Sequence, residues 1–380
     1  MRGRLVPRAT PAGSAGRLAV LVSFSGDGGV ERMMVNLLQG IAARGVAIDL
    51  LLIKARSSCL AELPPGIRLI RLGSSHTFMN LPALLRYLRV ARPAALLAAK
   101  HRALLLAVWA RRLSGVPVRV VGRIGTTVSA ALERKGRLRR ALWAWSVRRF
   151  YPWADAVVAV SQGVAEDIRS MGGAMARVVV VRNPVVTPGL AALAREASPH
   201  AWLTETGAPP VIMGMGRFTE QKDFATLIRA FARLRAGREC RLILLGRGRL
   251  EPGCRALAAQ LGVAADVAFP GFADNPYAYL ARARLFVLSS AWEGSPNALT
   301  EALALGVPVV STDCPSGPRE LLDGGRYGAL VAVGDDAALA RAMAATLDAP
   351  PPAAELRRAA ADYTVEASAR AYLAALGFTD

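Results

Sequence analysis

Two glutamates, Glu293 and Glu301, bracket a Gly-Ser-Pro turn in the stretch WEGSPNALTEALALGVP. The pattern predicts a strand end, a loop and then a helix over 296–305. Glu293 therefore stands ahead of a helix N-terminus and Glu301 within the helix. Carboxylates so placed accept hydrogen bonds from hydroxyl groups; one can reach the sugar part of a ligand and the other a ribose. They are not the pair of carboxyls that flanks a single bond in hydrolases. The plainer alternatives are a capping charge for Glu293 and a solvated helix face for Glu301. A second group lies in GMGRFTEQKDFATLIRAF, where Gly214 and Gly216 end a strand, Arg217 follows at once and Lys222 precedes a helix led by Asp223. Two cations at a strand's carboxyl end suit a diphosphate leaving group, Arg as a fork and Lys as a point charge; two solvated surface cations are the alternative. Gly26, Gly28 and Gly29 in SGDGGVE either admit a phosphate to backbone N–H groups or simply make a tight turn. They miss the G-x-G-x-x-G spacing of a dinucleotide fingerprint.

These residues need elements to carry them. LAVLVSF (18–24) reads as a strand, and the helix after it puts Val30, Met33, Met34, Leu37, Leu38 and Ile41 on one face. Apolar runs recur at 46–53, 95–99, 116–122, 154–161 and 178–184, then restart at 211–218, 241–246, 266–272, 283–290, 307–312 and 328–333. Buried apolar strands alternating with helices imply parallel βαβ units. The expected fold is α/β: two Rossmann-like parallel-sheet domains, residues 1–185 and 186–380, facing across a cleft, with the last helix packing back on the first. Ligands of such sheets bind beyond the carboxyl ends of the strands.

Composition narrows the partners. The net charge is +20, yet residues 1–185 hold 29 Lys+Arg against 8 Asp+Glu, whereas residues 186–380 hold 19 against 20. That asymmetry points the first half at a polyanion, unless it reflects only a GC-rich genome. Within it, LERKGRLRRALWAWSVRRFYPW (132–153) mixes cations with aromatic residues. Arg139, Arg140, Trp143, Arg148 and Arg149 are its expected contacts with an anionic membrane surface, with Leu138, Leu142 and Trp145 on one face. RNA stacking and plain domain packing are the alternatives. No apolar run reaches bilayer-spanning length, and the basic start (MRGRLVPR) reads as a short tail. The four cysteines are scattered, which fits a reducing cytoplasm and neither a zinc site nor a disulfide framework. The chain contains no Asp-x-Asp, so no metal and no cofactor are expected.

GGVERMMVNL (28–37), VSQGVAEDI (160–168), VRNPV (181–185), GRFTEQKDFATLIRAFA (216–232) and the stretch 289–321 together resemble glycosyltransferase family 4, retaining enzymes of GT-B fold. The resemblance covers nearly the whole chain. It implies that Glu293 contacts donor-sugar hydroxyls, Glu301 the ribose, Arg217 and Lys222 the diphosphate, and the Gly28–Gly29 backbone faces that diphosphate. Gly216, Asn297, Ala298 and Leu299 complete the donor-binding set. His101, at the end of the strand over 95–99, stands where relatives carry a donor-sugar contact, though a lone histidine is as readily structural. Arg123, after the strand over 116–122, is a candidate for an acceptor phosphate or an ordinary buried cation. The ending CPSGPREL resembles bacterial enzymes that extend lipid-linked or surface polysaccharides from UDP-hexoses or UDP-N-acetylhexosamines. The reaction implied is metal-independent front-side transfer to a lipid-linked or glycan acceptor, at the inner face of the cell membrane, with no nucleic acid involved. An epimerase or phosphorylase of the same fold and a basic nucleic-acid-binding module are the rival readings.

Overall fold

The computed structural model describes residues 16–26, 28–133, 136–171, 177–197 and 200–378. The basic tail, Asp27 of the glycine turn, and Arg134 and Lys135 of the basic stretch lie outside them.

Seven parallel strands form the first sheet: β1 (Leu18–Phe24), β2 (Ile48–Ala55), β3 (Arg68–Arg71), β4 (Ala95–Ala99), β5 (Arg119–Ile124), β6 (Ala156–Ala159) and β7 (Arg177–Val180), in the order β3-β2-β1-β4-β5-β6-β7. Six form the second: β8 (Val211–Met215), β9 (Arg241–Leu245), β10 (Val267–Gly271), β11 (Leu285–Leu288), β12 (Val309–Thr312) and β13 (Ala329–Val331), in the order β10-β9-β8-β11-β12-β13. Each sheet is doubly wound, and helices bury both of its faces. This explains why β4 and β6 are apolar throughout, and β1 but for Ser23, rather than alternating.

The helix Gly29–Ala42 buries Met33, Met34, Leu37, Leu38 and Ile41 on the first sheet, as its periodicity predicts. Val30 departs from that face and is 40% exposed at the helix's first turn. Strand β3 had no sequence signal because it is four residues long, RLIR, and only Ile70 packs even partly against the core. It joins the sheet through Asp49, fully buried on β2, which accepts hydrogen bonds from Arg68, from Arg17 Nη1 at 2.8 Å and from Tyr87 Oη at 2.7 Å. A buried carboxylate is tolerable only with such partners, so the ion pair fixes the edge register Asp49↔Arg68.

The last helix, Val365–Leu376, returns to the first sheet. Ala369, Tyr372, Leu373 and Leu376 enter the same core cluster as Leu18 and Leu37. Arg119 Nε donates to Ala375 O at 3.0 Å and Ser368 Oγ to Arg182 O at 2.8 Å, so both bonds tie this last helix to the first sheet.

Candidate functional site

Strands β8 and β11 are neighbours in the second sheet, so the loops leaving their carboxyl ends run side by side. That adjacency is why Lys222 and Glu293, far apart in sequence, meet: Lys222 Nζ lies 2.6 Å from Glu293 Oε1. Ser290 Oγ donates to the same carboxylate oxygen at 2.7 Å. The two loops are sewn together behind the pair. Ala291 N–H donates to Gln221 O at 2.8 Å, Gln221 Nε2 to Trp292 O at 3.0 Å, and Ser289 Oγ to Lys222 O at 2.8 Å. Gly216 makes room for this, since a Cβ there would stand 2.9 Å from the Lys222 stem. Arg217 points out of the same wall, exposed and in no ion pair among the described residues. The wall therefore presents one committed cation and one open one.

Glu301 lies on the next helix, Asn297–Leu305, buried, and accepts from Tyr277 Oη at 3.3 Å. Burial pushes its pKa up to about 7, against the opposing pull of Arg32 from the first domain, the Tyr277 bond and Lys222. The first bond inside this helix runs from Thr300 N–H to Pro296 O, which leaves the N–H groups of Asn297, Ala298 and Leu299 without helical partners. Those three N–H groups form a ready anion cradle. Leu299 contributes only its backbone, because its side chain is fully buried in the core. Asn297 ties the helix start to the opposite wall: its Nδ2 donates to Gly29 O at 3.0 Å, and its Oδ1 accepts from Asn183 Nδ2 at 2.8 Å. The Gly28–Gly29 turn is thus in contact with the helix N-terminus.

The first-domain candidates behave differently, and three expectations are corrected. His101 turns into its own domain, where Nδ1 lies 3.1 Å from Tyr151 Oη, Nε2 lies 3.2 Å from Ser146 Oγ, and its ring stacks on Trp143 at 3.6 Å. Burial, helped by Arg102, lowers its pKa to about 4, so it is a neutral packing residue and not a sugar contact. Trp143, expected at a membrane surface, is half-buried against this ring and the first core and not on the exposed face. On the same helix, Arg137–Phe150, it is Leu138, Leu142 and Trp145 that are 73%, 57% and 54% exposed. Arg139, Arg140, Arg148 and Arg149 are exposed beside them. Arg123 is buried, with Nη2 donating to Asn183 Oδ1 at 2.9 Å. It reaches the site through the chain Arg123–Asn183–Asn297 and does not face an open acceptor position.

Several residues of the site carried no assigned role in the sequence. Thr127, in the loop after β5, donates both N–H (3.1 Å) and Oγ1 (2.8 Å) to the Glu293 carbonyl, across the cleft. Gly294 permits that approach: a Cβ there would stand 2.4 Å from Gly125 O. Its position just past a strand's carboxyl end was the one usable signal. Arg32 and Tyr277, on opposite walls, converge on Glu301; Arg32 stands in the stretch 28–37 without a role assigned to it, and Tyr277 sits in a segment with no motif to mark it. Glu320 closes the far end, ion-paired with Arg182 and accepting from Gln162 N–H at 2.9 Å.

Two family models match the chain: Glycosyl transferase 4-like domain over residues 28–184, and Glycosyl transferases group 1 over residues 209–349. The chain is 31% identical over 320 residues to the lipopolysaccharide core biosynthesis glycosyltransferase LpsE of Rhizobium meliloti, covering 84% of this chain and 86% of that protein. It is 28% identical over 343 residues to an N-acetylgalactosaminyltransferase of Campylobacter jejuni whose name gives a diphospho-undecaprenol-linked acceptor, covering 87% and 90%. Among solved structures, Anabaena HepE in complex with UDP-glucose superposes with a TM-score of 0.78 at 18% identity, covering 96% of this chain and 100% of that one. The apo form of the galactosyltransferase WaaB superposes with a TM-score of 0.71 at 20% identity, covering 95% and 99%. Both have the arrangement of two facing parallel sheets found here.

Proposed function

The chain belongs to the group 1, family 4-like glycosyltransferases, and from that premise we propose that it moves a hexose or N-acetylhexosamine, with retention, from a UDP-sugar to a lipid-linked or polysaccharide acceptor in cell-surface glycan synthesis. Residues 1–185 serve the acceptor and 186–380 the donor. The observation that carries the reading is the Lys222–Glu293 pair beside the open Arg217, at the joined ends of β8 and β11. The acceptor hydroxyl oxygen bonds to the anomeric carbon as the bond from that carbon to the β-phosphate oxygen breaks. The hydroxyl proton passes to the departing phosphate, and UDP leaves. Arg217, Lys222 and the N–H groups of Asn297, Ala298 and Leu299 offset the charge that grows on the diphosphate, work that a metal does in other transferases. Glu293 holds the sugar hydroxyls and Glu301 the ribose. Binding the diphosphate at that helix start requires the Asn297–Gly29 contact to open. The relatives' printed substrates, a diphospho-undecaprenol acceptor and UDP-glucose, support the two ligand classes.

The test is a screen of nucleotide sugars with purified protein, scored as UDP release with and without an added glycolipid acceptor. Release that depends on acceptor and survives EDTA is expected. Turnover independent of acceptor would favour an epimerase or phosphorylase, and strict dependence on Mg²⁺ or Mn²⁺ would overturn the metal-free route.

The same reading places the protein peripherally on the inner face of the membrane, through the helix Arg137–Phe150. Among the described residues no helix is long and apolar enough to cross a membrane. Trp145 and Phe150 pack edge to face at 5.4 Å, Phe150 meets Trp109 and Trp153, and Arg112 lies over Trp153 at 3.7 Å. An aromatic patch rimmed by arginine suits an anionic interface, where each basic residue contributes ~1 kcal/mol. Replacing Arg139, Arg140, Arg148 and Arg149 by Gln should release the protein from anionic vesicles and slow transfer to a lipid acceptor, while sparing a soluble analogue. Equal loss with both acceptors would reassign the helix to the folding core; if the wild type never bound vesicles, RNA would be the next partner to try.

A further inference from the structure

The chain carries 48 Lys+Arg, of which only four are lysines: Lys54, Lys100, Lys135 and Lys222. Of the three that the structure describes, Lys54 and Lys100 lie at the carboxyl ends of strands. Lys222 is the partner of Glu293 described above. Lys54 sits near the end of β2, opposite Ser23 of β1, and Lys100 follows β4 directly. Strands β2 and β4 flank β1 on either side, so the two lysines flank the glycine turn that leaves β1.

Lys100 is held in an unusual way. Its backbone has φ 83° and ψ 155°, a region that residues other than glycine avoid. The conformation is pinned by its own N–H, which donates to Arg123 O at 2.9 Å, and by its carbonyl, which accepts from Leu104 N–H at 3.1 Å. A glycine would fit this bend without strain, yet the position holds a cation. Neither Lys54 nor Lys100 forms an ion pair among the described residues. Burial depresses the Lys100 ammonium, Glu31 pulls the other way, and Arg123, Arg217 and Lys54 add repulsion. Among the described residues, Glu31 is thus the one carboxylate acting on Lys100 against three neighbouring cations. The sequence candidate for an anion on this wall, Arg123, is spent on Asn183.

We propose that Lys54 and Lys100 form an anion subsite on the first-domain wall that takes the phosphate or diphosphate group of the acceptor, opposite the place given to the donor diphosphate at Arg217 and Lys222. This rests on the transferase reading above. Two compact ammonium groups on flexible stems suit a tetrahedral anion whose position varies with the length of the acceptor, better than two rigid forks would. With an anion between them, the mutual repulsion of Lys54 and Lys100 is offset.

The experiment uses inorganic pyrophosphate as probe, titrated calorimetrically into the full chain saturated with UDP, so that the donor position is filled. UDP alone is titrated in parallel. Lys54→Gln and Lys100→Gln should each weaken pyrophosphate binding about tenfold, the scale of one lost charge-assisted contact, and leave UDP affinity within about twofold. Lys100→Gly separates binding from folding: it relieves the positive φ and should raise Tm, while losing pyrophosphate as the Gln variant does. Unchanged pyrophosphate affinity in the variants, no pyrophosphate binding to the UDP-saturated wild type, or a parallel loss of UDP would each overturn the subsite. If UDP failed to bind the wild type, the transferase reading itself would fall and take this inference with it. If UDP binds and the variants hold pyrophosphate as tightly as wild type, only the subsite falls.

Discussion

On the second-domain wall, Lys222, Glu293 and Ser290 are bonded to one another, and Glu301 is bonded to Tyr277. On the first-domain wall, His101 and Arg123 turn inward and the lysines that do face the cleft lack ion pairs among the described residues. One wall is organised before any ligand arrives; the other holds lysines without ion pairs among the described residues, whose charge a ligand can balance. A preorganised wall suits the donor, whose bond breaks there, because fixed dipoles need no rearrangement in the transition state. A looser, cationic wall suits an acceptor that must be recruited and then released.

The largest effects should come from the donor wall, and they should divide by how committed each residue is. Arg217→Ala and Lys222→Ala are each expected to depress turnover ~10²-fold or more, since both offset charge on the leaving group. Their stabilities should differ. Arg217 has no ion pair to lose among the described residues, so Arg217→Ala should melt like wild type, whereas Lys222→Ala strands the buried Glu293 carboxylate and should lower Tm. Near-wild-type turnover in both variants would remove the diphosphate role from this wall.

A smaller effect, about tenfold, is expected where the walls touch. Thr127 acts through Glu293 as a positioning residue. Thr127→Val deletes the Oγ1 bond to the Glu293 carbonyl and should lower kcat with little change in donor KM, and Thr127→Ser should restore it. Glu293→Ala should likewise fall in kcat. Glu301→Ala should raise donor KM, because the ribose it serves does not react. If Thr127→Val raised KM alone, the contact would serve only to hold the domains together.

How much of this was legible follows the same division. The strands were readable because parallel sheets buried on both faces leave apolar runs, and β3 was not, because an ion pair to Asp49 rather than apolar burial holds it. That Lys222 and Glu293 share one wall was readable because they stand in two local stretches, each a strand end followed by a helix start. The first wall was not. His101 and Trp143 have the residue types of a site, but their direction is set by each other, a ring-on-ring contact between segments more than forty positions apart that no spacing rule encodes. Thr127 matters only because Gly294 lets another domain approach it, and Lys100 only because of a backbone bend.

The smallest effect in the wild type should be the pH dependence of stability, because the two walls contribute opposite slopes. Burial raises the Glu301 pKa from 4.5 to about 7, so between those values the folded protein holds a proton that the unfolded chain has released. Stability from this group is therefore lost as pH rises through the window, by about 3 kcal/mol at most. His101 is shifted down, from 6.5 to about 4, so in that window the unfolded chain holds the extra proton and stability is lost as pH falls, by a similar amount of about 3 kcal/mol. Where the windows overlap, from about 4.5 to 6.5, the slopes oppose and the wild-type Tm should be nearly flat. Removing one group exposes the other. Relative to wild type, Glu301→Gln should leave a Tm that climbs with pH across this range, and His101→Gln one that declines. The same slope in both variants would contradict the burial assigned to one of the two groups. The scans also test the walls' coupling, since His101 belongs to the first sheet's core and Glu301 to the second sheet's helix. If the domains melt together, a single transition carries the cancelled slope. If they melt apart, the first transition should weaken in acid and the second in base, and the contacts through Thr127 and Asn297 would then be too few to make one cooperative unit.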